Sequence, residues 1–87
     1  MSRLLRIVID TSIWIRILLR GRLTLPILDI WKRGRFQSIS SESLLAELDE
    51  VWQRPRLREH INEQDARDLL EQIRYRSELV EIVTTPP

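Results

Sequence analysis

The run from Leu4 to Ile9 is apolar except for Arg6, and its β-branched end, Ile7-Val8-Ile9, passes straight into Asp10-Thr11-Ser12. β-Branched residues favour extended backbone. An apolar run without alternation reads as a strand buried in a parallel sheet, and this one looks central. The polar triplet then starts a helix, because Thr11 or Ser12 can accept a backbone N–H through its side-chain oxygen. The helix is expected over 13–19, with Gly21 as its stop.

The same alternation continues along the chain. Thr24 suits the N-cap of a second helix, Pro26 fits its first turn, and Ile27, Leu28, Ile30 and Trp31 supply the apolar face. Lys32 and Arg33 suit the negative helix end, and Gly34 the stop. Residues 36–39 read as a second strand. Ser40 or Ser41 opens a third helix, whose stripe is Leu44, Leu45, Leu48, Val51 and Trp52. Pro55 breaks it near Arg54. A short turn or helix follows through His60. Asn62 caps a long helix with Asp65 in a capping-box-like position, and Ala66, Leu69, Leu70 and Ile73 form its core stripe. Residues 79–83 read as a third strand. The order β-α-α-β-α-α-α-β predicts an α/β fold with a parallel sheet covered on both faces and right-handed crossovers.

At 87 residues the chain supports one small domain, with 43% hydrophobic and 31% charged residues, which are globular values. A chain this short buries roughly 60–65% of its unfolded surface, so its core margin is thin. It has no cysteine and a single histidine, which excludes disulfides and thiolate sites and argues against a histidine-based zinc site. His60 reads as a surface residue. No apolar run approaches the ~20 residues of a membrane span. The segment from Leu4 to Leu19 is interrupted by Arg6, Asp10 and Arg16, unlike a signal peptide. The chain is expected to be cytoplasmic.

Charge is unevenly spread. Residues 1–40 carry a net +6 and residues 41–87 a net −5. A basic surface of this kind either meets phosphates or is an ordinary solvated arginine surface. With only Gly21 and Gly34, the chain has no glycine-rich phosphate loop. Trp14, Trp31 and Trp52 fall at core-like helical positions and read as packing.

Ligands of open parallel sheets bind beyond the carboxyl ends of strands. Asp10 stands at such an end. A carboxylate there either holds a hard cation such as Mg²⁺, with Thr11 and Ser12 orienting it, or simply caps the following helix. On the third helix, Glu47 and Asp49 flank the apolar stripe on opposite sides, and Glu50 points further out. Helical pitch does not choose between Glu47 and Asp49.

Four stretches, in this order and at this spacing, carry a resemblance to a known family. Ile7-Val8-Ile9-Asp10-Thr11-Ser12 resembles the opening strand of PIN domains. Leu28-Asp29-Ile30-Trp31-Lys32-Arg33-Gly34-Arg35-Phe36 is similar to the second helix and strand of the branch that contains toxin components of toxin–antitoxin pairs. Ser43-Leu44-Leu45-Ala46-Glu47-Leu48 resembles its acidic helix, and Val51-Trp52-Gln53-Arg54-Pro55-Arg56-Leu57 the turn after it. The resemblance covers essentially the whole chain.

What it implies is a Rossmann-like, three-layer PIN fold, incomplete here, with a three-stranded parallel sheet and about five helices in a single truncated domain, 1–87. It implies a Mg²⁺- or Mn²⁺-dependent endoribonuclease silenced by an antitoxin protein. Asp10 is similar to the family's first metal-binding and catalytic acid and Glu47 to its second, with Ser12 and Thr11 in support. The family continues past the third strand with another acidic segment, typically carrying two more aspartates, whereas this chain stops at Pro87. Two carboxylates would hold one ion weakly. The first strand, central in the family, would here have one bare side, and an open edge recruits another chain, so a homo-oligomer is expected. The alternative reading is a catalytically inactive PIN remnant that serves as an interaction or oligomerisation module.

Overall fold

The computed structural model describes residues 4–20 and 25–80. The element order is the one expected: β1 (Leu5–Val8), α1 (Thr11–Leu18), α2 (Leu25–Lys32), β2 (Phe36–Ser40), α3 (Glu42–Trp52), α4 (Pro55–Arg58), α5 (Glu63–Arg76) and β3 (Glu78–Leu79). The three strands form one parallel sheet in the order β1-β2-β3. Leu5 pairs with Phe36 and Val8 with Ile39, while Ile39 pairs with Glu78 and Ser40 with Leu79.

β2 is therefore the central strand, and β1 lies at an edge. The apolar run that looked central is buried by its α-helical neighbours at Ile9 rather than by strands on both sides. Strand residues alternate between faces. Phe36, Ser38 and Ser40 point into the core, and Gln37 and Ile39 between them are half-buried. On that second face Arg6, Val8 and Glu78 are exposed, so its cover is partial rather than complete. Arg6 donates to the Glu78 carboxylate there, bridging β1 and β3 over β2.

Caps account for the element boundaries. Asp10, not Thr11 or Ser12, is the N-cap of α1: its backbone is extended and its side chain accepts from the Ile13 N–H. The helix consequently starts two residues earlier than expected. Leu19 and Arg20 close it through bonds to Ile15 and Ile17, and Arg20 takes the left-handed conformation (φ 58°). Gly21 and Thr24, the expected stop and cap, lie outside the described residues. Gly34, at φ 72°, ends α2 as expected. Ser41 caps α3 through the Leu44 N–H. Asn62 caps α5 through Gln64 and Asp65. β3 begins at Glu78, and the Val80 N–H extends its ladder to Ser40. Residues 81–83 of the expected strand lie outside the described residues.

One core joins all of this. Trp14, Leu48, Ile73 and Ala66 are essentially inaccessible, and Trp31 and Trp52 are also buried. Trp14 and Trp31 meet edge to face at 4.8 Å, the arrangement their ring quadrupoles favour. α1 packs on α3, α3 on α5, and α2 and α5 on β2. The core thus holds α1 and α3 side by side, with their N-termini following the carboxyl ends of β1 and β2. His60 is exposed. Of the long-range ion pairs, Arg6–Glu78 and Arg20–Asp65 join the basic first half of the chain to the acidic second half. Part of the basic surface is thereby neutralised internally.

Candidate functional site

β1 delivers Asp10 to the carboxyl edge of the sheet with one residue, Ile9, between strand and cap. Ile9 is buried and anchors that junction. The Ser12 hydroxyl donates to Asp10 Oδ1 at 2.7 Å, and the Ile13 N–H donates to the same oxygen at 3.1 Å. Oδ2 accepts no hydrogen bond from the described residues. The Ser12 hydroxyl, then the Ile13 N–H, then weaker help from the Ser12 N–H and the Arg16 charge hold the Asp10 carboxyl below its ordinary value of 3.8. Each favours the charged form. Asp10 is thus an exposed, oriented carboxylate with one oxygen available. It caps α1, and it still presents charge to solvent.

Thr11 is the first residue of α1 and half-buried. The contact that orients Asp10 comes from Ser12. On α3, Asp49 Oδ1 accepts from the Trp52 indole at 3.0 Å and from Gln53, and Glu50 pairs with Arg54 at 3.2 Å. Glu47 is exposed and has no hydrogen-bond or ion-pair partner among the described residues. Three acids that pitch alone left unresolved thus divide by their contacts: two hold structure and one is uncommitted.

Among the described residues, no three His, Cys, Asp or Glu side chains group as a metal site. Asp10 caps α1, and Glu47 lies on α3, the helix packed beside it. Mg²⁺ or Mn²⁺ takes as few as one or two carboxylates and completes its shell with water and phosphate oxygens. Two carboxylates do not suit a two-ion centre.

Ser40, read from the sequence only as a candidate cap, is instead a buried strand end: it ends β2, is 4% exposed, and its Oγ has no hydrogen-bond partner among the described residues. The run Ser38-Ile39-Ser40-Ser41 was the available signal, since alternation puts two of three serines inward. A cavity of ≈ 440 Å³ lies elsewhere, at the other end of α1, lined by Ile17, Leu28, Trp31 and Asp65. It is not part of the Asp10 site. Among the described residues no helix is long and apolar enough to cross a membrane.

A family model described as the PIN domain matches residues 6–86. No curated protein and no solved structure matches the chain.

Proposed function

The chain belongs to the PIN-domain family, and we propose that within it Asp10 and Glu47 form a single-ion site for RNA phosphodiester hydrolysis, of the kind used by the toxin of a toxin–antitoxin pair in the cytoplasm. PIN domains in general are nucleases that use divalent cations. The observation that supports this reading is Asp10 itself: exposed, charged, pinned through one oxygen, and placed where parallel sheets bind ligands.

Asp10 Oδ2 and the Glu47 carboxylate would hold Mg²⁺ or Mn²⁺, and the chemistry such an ion supplies when bound is activation of a water and neutralisation of phosphate charge. Ser12 fixes the rotamer of Asp10 and keeps it ionised. The Ile13 N–H does the same from the helix end. Arg16, further along α1, adds positive charge within coulombic reach of Asp10.

A second reading is favoured by one observation, the lack of a third acid grouped with Asp10 among the described residues. In that reading the protein is a catalytically silent PIN domain that retains the family's protein partnerships, with an antitoxin-like protein or another copy.

The test uses purified protein, single-stranded RNA and Mn²⁺, beside Asp10→Asn and Asp10→Ala. Asn keeps a capping oxygen and removes the charge. Metal-dependent cleavage lost in both variants supports the nuclease. Cleavage equal in all three proteins, or absent from all, rejects it, and absence with Mn²⁺ still bound selects the silent domain.

A further inference from the structure

We draw no further inference here: the strongest candidate, the ≈ 440 Å³ cavity between α1, α2 and α5, sets Arg20 and Lys32 against Asp65 and Asp68 around an apolar floor, so that charge selects no occupant and nothing in the structure shows what covers it.

Discussion

Trp31 donates from its indole Nε1 to the Ser38 hydroxyl at 2.9 Å, and Ser38 Oγ in turn meets Ser77 Oγ at 2.7 Å. Three elements, α2, β2 and the segment between α5 and β3, are tied by one hydroxyl in the core. Ser38 is 1% exposed, so no bulk water can replace it. Ser38→Ala would leave the Trp31 N–H buried and unpaired, at a cost of about 1–3 kcal/mol. Urea unfolding followed by tryptophan fluorescence measures this as a lowered midpoint with an unchanged slope.

Ser40 points to the same face and gives the opposite result. Its Oγ is buried and has no partner among the described residues. Removing an unsatisfied polar atom relieves its desolvation cost without breaking a bond. Ser40→Ala is expected to be neutral or to stabilise by up to about 1 kcal/mol. A loss comparable to that of Ser38→Ala in the same unfolding experiment contradicts the expectation.

The Ser12 hydroxyl is the largest influence holding the Asp10 carboxyl below 3.8. Ser12→Ala is expected to raise that pKa toward its ordinary value, read from a carbon-detected carboxyl titration. Because the folded value lies below the unfolded one, the charge stabilises α1 fully above about pH 4, and the benefit is lost as pH falls through the folded value. In Ser12→Ala the stabilisation is smaller and its loss is complete at a higher pH. A carboxyl that titrates identically in both proteins removes Ser12 from the site.

Glu47 and Asp49 are expected to part company under substitution. Glu47→Gln breaks no contact among the described residues, so its unfolding midpoint should match the wild type, while Mn²⁺ affinity measured by water relaxation falls several-fold. Asp49→Ala frees the Trp52 indole and should lower stability by about 1 kcal/mol with Mn²⁺ affinity unchanged. The reverse pattern would transfer the second ligand to Asp49.

Local signals made much of this fold legible. The 3.6-residue stripe of Leu45, Leu48 and Trp52, the caps Ser41 and Asn62, and Pro55 all act within one turn of chain, and all lie where the spacing placed them. The start of α1 was misjudged by two residues because three consecutive residues, Asp10, Thr11 and Ser12, are each good caps. The choice among them depended on where buried Ile9 fixed the end of β1. Contacts between distant elements left no trace in periodicity: Trp31–Ser38–Ser77 needed the packed core to bring donor to acceptor. The bond from the Trp52 indole to Asp49, one turn apart on α3, is what separates Asp49 from Glu47, which pitch alone did not. The apolar run overstated the burial of β1, where Leu5 and Val8 are exposed and only Ile9, just past the strand, is buried in the core.

The double duty of Asp10 has a consequence for descent. Asparagine, serine and threonine can all cap a helix, so a gene copy that exchanges this aspartate for any of them keeps the shape of the protein while discarding its charge. Selection for folding and selection for chemistry therefore act on the same codon with different stringency. A randomised library at position 10 should recover several residues when screened for soluble expression and aspartate alone when screened for metal-dependent cleavage. If the chain is a nuclease as proposed, drift to a silent relative needs only one step here, and that step leaves the scaffold intact.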